Sequence, residues 1–238
     1  MELDFICPIH ESKGLIMSKR ITLLAAALAA LAFAAFPTVA SAGTPEIHCP
    51  NGALECNVSI TGGHSEWTKT GGFASVTCTS TTGSGTLKTT TGTISLLYHG
   101  CKDSVFGGAC TTSGLTSGTV ETTALTFHTT YLTAGKTVPG ILLTPNAVTG
   151  VIAHFSCIDG NHTVTGNGLM GRIESGCTSP VSPLNVVFEQ SQAGHPLHKQ
   201  ITGTGTIFDL ADGGATTAMK STESITAAGG GNFTVTCV

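Results

Sequence analysis

Residues 151–157 read Val-Ile-Ala-His-Phe-Ser-Cys, and the first, third, fifth and seventh side chains of this stretch are apolar or a cysteine. Successive side chains of a β-strand point to opposite faces, so this alternation is typical of a strand with one buried face. Here that face would carry Val151, Ala153, Phe155 and Cys157. The stretch therefore predicts a half-buried strand that carries its cysteine on the buried side.

The same alternation recurs along the chain and favours an all-β protein. Thr is abundant in these stretches, and its β-branched side chain suits strands while tolerating water. Gly, Asn and Asp separate the stretches, as expected for strands joined by turns. The pattern predicts an antiparallel β-sandwich or a barrel-like fold with little helix. The further predicted strands are residues 74–78, 93–98, 124–132, 138–143, 184–188, 201–208, 218–225 and 233–237.

Composition excludes several classes of protein. The 238 residues carry a net charge of only −4 and are 40% hydrophobic, which disfavours intrinsic disorder. No basic patch of the kind that binds nucleic acid is present, and we expect no nucleic-acid partner. No uninterrupted apolar run reaches the roughly 20 residues of a membrane span, so no stable span is expected after the leader is removed.

The N-terminal segment has the features of a secretory signal peptide. Ser18-Lys19-Arg20 is basic, an apolar run from Ile21 to Phe36 follows, and Ala40-Ser41-Ala42 supplies the small residues that signal peptidase accepts. The alternative, an uncleaved anchor, is disfavoured because the apolar run is short. We expect residues 1–42 to be a helical leader, cleavage after Ala42, and a secreted, extracellular protein.

The first sixteen residues do not fit a signal peptide. They include Asp4, Cys7 and Glu11, whereas Met17 begins an ordinary basic n-region. We therefore predict that residues 1–16 are a spurious upstream extension and that translation begins at Met17. The mass of the intact precursor tests this prediction.

Removing the leader also removes one of the nine cysteines, which leaves an even number. An even count in an exported chain is typical of a disulfide framework, and no paired C-x-x-C spacing indicates a metal. Sequence does not determine the connectivity, but short loops make two bonds plausible: Cys49 to Cys56 and Cys101 to Cys110. For the remaining four cysteines we predict bonds from Cys157 to Cys177 and from Cys78 to Cys237. The disulfide candidates are Cys49, Cys56, Cys78, Cys101, Cys110, Cys157, Cys177 and Cys237.

Residues 43–238 are expected to form a single all-β domain. A similarity between two parts of the chain offers an alternative. Ala74–Cys78 and Ala153–Cys157 are each followed, after a Thr/Gly-containing stretch, by a Gly-Cys pair. A duplication would give two β lobes that meet near residues 139–145.

Three short motifs carry a resemblance. Val76-Thr77-Cys78, Gly100-Cys101-Lys102 and Gly108-Ala109-Cys110, together with the leader and the Thr/Gly-rich alternation, resemble exported proteins of high-GC soil actinobacteria that have no assigned function. The resemblance implies a secreted all-β protein from a bacterium and carries over no functional residue.

No catalytic signature is present in the chain. A nucleophile elbow needs G-x-S-x-G, and Gly63-His64-Ser65-Glu66-Trp67 has Trp in place of the second Gly. Lys102-Asp103-Ser104 lacks the flanking glycines of a chymotrypsin-like nucleophile. A non-sequential site remains an alternative, in which His154, His128, Ser65 or Asp103 would converge in a cleft.

The sequence contains no clear pattern for a metal site or for a carbohydrate-binding site. His195 and His198 are best interpreted as loose surface side chains, because Pro196 obstructs a helix that would align them. His154 and His162 bracket Cys157, but a disulfide-bonded cysteine is no ligand. Residues 209–214 supply two carboxylates, too few for calcium, and are interpreted as a solvated turn. A carbohydrate site would use exposed aromatic rings as flat platforms on which sugars stack. Trp67 follows a Gly-rich turn and is a candidate for such an exposed ring, whereas Tyr98 and Tyr131 are expected in the core.

The leading hypothesis is a secreted, disulfide-stabilised, non-enzymatic β protein of the cell envelope or medium. Its role would be structural, adhesive or ligand-binding, with a cell-wall or small-molecule ligand as the expected kind of partner. We assign no catalytic residue, no cofactor and no metal. The alternatives are a secreted hydrolase with the non-sequential Ser/His/Asp site, or a small-molecule carrier, since exported actinobacterial chromoprotein carriers share this composition.

Overall fold

Antiparallel strands make up most of the computed structural model, which describes residues 43–70, 75–133, 135–146, 149–177, 180–190 and 210–238. One short 3-10 turn, Pro50–Gly52, accompanies them. The strands are β1 (Glu46–His48), β2 (Glu55–Gly62), β3 (Ser65–Lys69), β4 (Ser75–Cys78), β5 (Ser80–Lys88), β6 (Thr91–His99), β7 (Lys102–Asp103), β8 (Val120–Glu121), β9 (Leu125–Tyr131), β10 (Pro139–Pro145), β11 (Val151–Cys157), β12 (Gly160–Gly166), β13 (Leu169–Ile173), β14 (Leu184–Phe188), β15 (Leu210–Asp212), β16 (Ala215–Ala227) and β17 (Thr234–Thr236).

Eight of these strands close into an antiparallel barrel. Their order is β16-β14-β13-β10-β9-β6-β5-β2, and β2 then pairs with β16 to complete the ring. The sequence allowed a sandwich or a barrel, and this last pairing makes it a barrel. Inward-facing side chains fill the interior, among them Ile60, Leu96, Phe127 and Phe188, which are all almost fully buried.

Seven strands form a second sheet, called here the side sheet. Its order is β11-β12-β15-β16-β3-β4-β7. Isolated bridges from Lys102 to Ala109 and from Thr111 to Ser156 link its two edge strands through residues 109–111. The buried residues of the side sheet, among them Trp67 and Phe155, belong to the same hydrophobic core as those of the barrel.

The long strand β16 belongs to both sheets. Its first half, up to Lys220, pairs with β15 and β3, and its second half, from Ser221, pairs with β14 and β2. Side chains alternate along the second half, so that Thr222 and Thr226 are exposed while Glu223 and Ile225 face inward. This alternation confirms the strand predicted for residues 218–225.

Most predicted strands are confirmed. Residues 151–157 and 184–188 are strands with the predicted boundaries, and 74–78, 93–98, 124–132, 138–143, 218–225 and 233–237 overlap observed strands. The strands that the alternation did not predict include β2, β5, β12 and β13. Residues 139–145, the predicted meeting point of two lobes, form β10 of the barrel, and residues 42–238 cluster as one compact unit.

Four disulfides join the eight cysteines of the described chain. The predicted Cys49–Cys56 bond is confirmed, with a Cα–Cα distance of 5.9 Å across the turn at Pro50–Gly52. The other three predicted bonds are wrong. The observed bonds are Cys78–Cys101, Cys110–Cys157 and Cys177–Cys237.

Strand register explains the observed pairing. Ser80 pairs with His99 in the β5–β6 hairpin, and Cys78 and Cys101 lie opposite each other two residues beyond, with Cα atoms 4.0 Å apart. Cys110 and Cys157 lie one residue beyond the Thr111–Ser156 bridge, with Cα atoms 4.2 Å apart.

The predicted Cys101–Cys110 bond failed for the same reason. Cys110 donates its backbone N–H to the carbonyl of Cys101 at 3.0 Å, so the two residues are neighbours. Each cysteine nevertheless bonds the residue that its own strand register places opposite. A short separation in sequence predicts closeness but not which partner the side chain faces.

Several predictions lie outside the described residues. These are the leader and its cleavage after Ala42, the start at Met17, the strand at residues 201–208 and the placement of His195 and His198. Among the described residues, no helix has the length and apolar content needed to cross a bilayer.

Candidate functional site

A small cavity inside the side sheet gathers most of the buried charged groups of the described chain. Its volume is about 10 Å³, close to the space of one water molecule. The lining side chains come from all seven strands of the side sheet, and they include Trp67, Lys69, Asp103, Phe155, His162 and Asp212.

His162 is the centre of this group. It lies on β12, is only 5% exposed, and has a carboxylate at each ring nitrogen. Nδ1 lies 2.6 Å from Oδ2 of Asp212, and Nε2 lies 2.9 Å from Oδ1 of Asp159. Because a carboxylate only accepts hydrogen bonds, the two contacts are both satisfied when the ring is a doubly protonated imidazolium.

Lys69 joins the same network at the end of β3. Its Nζ lies 2.7 Å from Oδ2 of Asp212, the oxygen that His162 also contacts. The other oxygen of Asp212 accepts the backbone N–H of Thr163 at 3.2 Å. With Lys69 and His162 positive and Asp159 and Asp212 negative, the charges of these four groups balance.

The pKa values of the network follow from this geometry. Burial disfavours the charged form of His162, but its hydrogen bonds to Asp159 and Asp212 outweigh burial and raise its pKa. Burial likewise opposes the charge of Asp212, and the hydrogen bonds from Lys69 and His162 outweigh it, so that its pKa is lowered. His162 and Asp212 therefore each favour the charged form of the other.

Aromatic rings form one wall of the cavity. The ring of Phe155 stacks on His162 with centroids 5.1 Å apart and planes 12° from parallel. Trp67 meets Phe155 edge-on at 6.5 Å, and on its other side it meets Tyr98 at 5.5 Å. The stack fixes the orientation of the imidazole and excludes bulk water from it.

Asp103 brings a further carboxylate to the cavity. Its Oδ1 accepts the backbone N–H groups of Val105 and Phe106 at 2.8 and 2.7 Å, which holds the turn after β7. Its Oδ2 is buried and has no hydrogen-bond partner within the described part of the chain. Asp103 therefore shapes this turn and also presents one oxygen to the cavity wall.

Within the described residues, both ring nitrogens of the histidine in this network are engaged by carboxylates. A general base needs a free ring nitrogen, and both nitrogens of His162 are engaged. Cys157, Asp159 and His162 bring three potential metal ligands within 4.8 Å of one another, but the sulfur of Cys157 is bonded to Cys110. A disulfide sulfur is not a thiolate, so this group offers a metal only two strong ligands.

The residues of the alternative Ser/His/Asp site do not converge. His154 is exposed on β11 and contacts Thr163, whereas His128 lies on β9 of the barrel. Ser65 and Asp103 are buried on β3 and β7. Among the described residues, no hydrogen bond or ion pair joins any two of these four side chains.

Two sequence predictions about this region are wrong. Trp67 is 5% exposed and not a surface platform, because β3 places it on the inner face of the side sheet. Asp212 belongs to no solvated turn, since it is 5% exposed and paired with Lys69 and His162. The turn consists of Gly213 and Gly214, whose positive φ angles of 59° and 86° close the β15–β16 hairpin just after Asp212.

Sequence reasoning did not identify the network itself. Tyr98 and Tyr131 are buried as predicted, but Lys69, Asp212 and the pairing of His162 were missed. A signal was present in His162, Val164 and Asp212, which lie at alternating inward positions of short strands. A charged residue at an inward position demands a partner, although the pattern does not name that partner.

Comparisons with protein-family models, with curated proteins and with solved structures found no match for this chain.

Proposed function

We propose that this chain is an exported, non-enzymatic β protein that serves as a rigid structural or binding module of the cell envelope or medium. The carrying observation is the disulfide framework, in which all eight cysteines of the described chain are paired. Disulfides persist in oxidising compartments and are rare in the cytosol. The bonds Cys110–Cys157 and Cys177–Cys237 connect segments that lie 47 and 60 residues apart.

The buried network supports a structural role over a hydrolase. Its charges neutralise one another, its histidine has both nitrogens engaged, and no serine or cysteine thiol lies beside it in the described chain. A reacting group would also need access, and His162 and Asp212 are each only 5% exposed.

The interior of the molecule gives less support to a carrier. The cavity of the side sheet and the apolar space inside the barrel each measure about 10 Å³ in the described part of the chain. Sites for small organic ligands occupy about 300–1,000 Å³. The larger depressions, of about 240 and 230 Å³, lie at the surface, so a small-molecule ligand would bind at the surface and not in the interior.

Thiol labelling of the secreted protein tests the proposal. Cells that express the full chain are treated with an alkylating reagent, and the protein of the medium and envelope is analysed by intact mass. We expect a chain that begins at Gly43 and carries no label. An unprocessed chain in the cytosol, or more than one labelled cysteine, would contradict the proposal.

Labelling with a fluorophosphonate probe tests the alternative enzyme. This reagent modifies serines activated by a neighbouring base, so no label is expected on the native protein. A single labelled serine that is lost on denaturation would overturn the non-enzymatic role in favour of the hydrolase.

A further inference from the structure

One carboxyl group lies alone in the wall of the barrel. Glu223 occupies an inward position of β16, is 2% exposed, and pairs with Gly62 of β2 on one side and Val186 of β14 on the other. The pair Glu223–Gly62 is the last pair of the β2–β16 ladder, which is the pairing that closes the barrel. The side chain therefore marks the end of the closing seam, defined here as residues 58–62 and 223–227.

Gly62 makes room for this carboxyl group. A Cβ placed on Gly62 would collide with the carboxylate of Glu223, so the carboxyl group lies directly against the backbone of β2. The carboxyl group therefore lies at the closing seam, where it also lines the small apolar space inside the barrel.

The polar atoms around Glu223 are short of partners. Neither of its oxygens, nor the hydroxyl oxygens of Thr81, Ser221 and Ser65, makes a hydrogen bond of good geometry within the described residues, although the hydroxyls of Ser221 and Thr81 lie close enough to act on the carboxyl group. Thr81 lies opposite Gly62, and the β3–β16 register places Ser65 opposite Ser221. Five buried oxygens at one end of a seam form an unusual concentration, since buried polar groups are normally hydrogen-bonded.

Among the described residues of the packed strands, none that faces this carboxyl group is a cation. The neighbouring inward residues are Gly62 on β2, Thr81 on β5, Val186 on β14 and Ser65 on β3, and none carries charge. Tyr98 of β6 is the one titratable group of the described chain that senses Glu223, and its pKa is raised by its own burial and then by the Glu223 charge.

Burial therefore governs the protonation of Glu223. It raises the pKa of this carboxyl group to about 7, while the hydroxyls of Ser221 and Thr81 act in the opposite direction. Near neutral pH the group exchanges a proton with solvent, and in the ionised form the seam contains an unpaired charge.

We propose that Glu223 makes the closing seam of the barrel pH-sensitive: the protonated carboxyl group allows the seam to close, and its ionisation weakens the pairing of β2 with β16. The ordinary pKa of the group is 4.5, so the folded state binds the proton more tightly than the unfolded state. The seam is therefore strongest below about pH 4.5 and weakens as pH rises towards 7.

Amide hydrogen exchange of the oxidised protein tests this inference. Protection of residues 58–62 and 223–227 is measured from pH 5 to pH 8, corrected for intrinsic exchange, in the natural chain and in Glu223→Gln. A pKa that moves from 4.5 to about 7 corresponds to a change of up to about 300-fold in the equilibrium constant for opening of the seam. We expect the seam of the natural chain to lose protection towards this limit, and the seam of Glu223→Gln to keep it.

Two controls separate this effect from general changes. Glu121→Gln removes an exposed carboxylate from β8 and should behave as the natural chain. The β9–β10 ladder is an internal reference because it lies on the barrel but not at the seam. His162 titrates too, so variants are compared at one pH. The inference would be overturned if the seam lost as much protection in Glu223→Gln as in the natural chain. It would also be overturned if the β9–β10 ladder of the natural chain lost as much protection as the seam.

A second measurement does not depend on folding of the variant. The carbon-13 carboxyl resonance of Glu223 in the natural chain should titrate with a midpoint near 7. A midpoint near 4.5 would overturn the inference. Neither measurement depends on the proposed role outside the cell, so the two proposals fail independently.

Discussion

At the scale of single residues, Asp212 holds the side sheet together electrostatically. One of its oxygens contacts both Lys69 and His162, and the other accepts a backbone N–H from β12. Removing one partner from a buried ion pair leaves an uncompensated charge, which costs more than the pair contributes. The residue that two cations share is therefore the sensitive position of the network.

Asp212→Asn should lower the free energy of unfolding by about 3 kcal/mol at pH 6. The amide cannot compensate two positive groups, and His162 would then lose much of the stabilisation of its proton. Asp159→Asn is the matched control, because the Asp159 side chain is 21% exposed and contacts His162 alone. We expect about 1 kcal/mol for the control. Urea unfolding measures the free energy of unfolding of both variants. Equal decreases for Asp212→Asn and Asp159→Asn would contradict the central place of Asp212.

At the scale of elements, β5 shows how a strand forms without an alternating apolar pattern. Its inward positions include Gly83 and Gly85, and two side chains of the neighbouring strand β6, Leu96 and Ile94, occupy the space beside them. The strand was missed in the sequence because its buried face consists partly of glycine. Close approach of β6 is what requires those glycines.

Gly85→Ala should destabilise the barrel by about 2 kcal/mol. The new Cβ would collide with the backbone carbonyl of Thr93 and with Ile94, which cannot retreat without opening the β5–β6 ladder. Gly63→Ala is the control, since nothing lies within 4 Å of a Cβ there. Its effect should stay within about 0.5 kcal/mol. Thermal unfolding followed by circular dichroism measures both, and similar midpoints for the two variants would refute the close approach.

At the scale of the whole molecule, disulfides connect segments that the strand order brings together from far along the chain. Cys110–Cys157 ties the segment after β7 to the end of β11, and so stabilises the link between the two edges of the side sheet. Cys49–Cys56 closes only a local turn. Loop-closure entropy makes the longer loop the more stabilising one.

Replacing Cys110 and Cys157 together by Ala should lower the free energy of unfolding by about 4 kcal/mol. Replacing Cys49 and Cys56 together should lower it by about 2.5 kcal/mol, because the loop they close is short. Urea titration of each double variant, with the remaining bonds intact, measures the difference. A larger loss for the Cys49–Cys56 pair would contradict the entropic account.

From the sequence, most strands outside β2, β5, β12 and β13 could be located, together with the face that each of them buries. Residues 151–157 and 184–188 became strands with the predicted boundaries, since alternation is a local property of the chain. The even cysteine count also predicted a complete disulfide framework. The local turn of Cys49–Cys56 was predictable because both partners lie within one turn.

Only the tertiary structure decided how the strands neighbour one another. Alternation indicates which face of a strand a side chain lies on, but not which strand pairs with it. Closure of the barrel through the pairing of β2 with β16 could therefore not be predicted from it. The pairing of Cys110 with Cys157 depends on that register, as does the network of His162 with Asp212, 50 residues away. Each of these contacts joins positions whose separation along the chain carries no physical information about their distance in the folded protein.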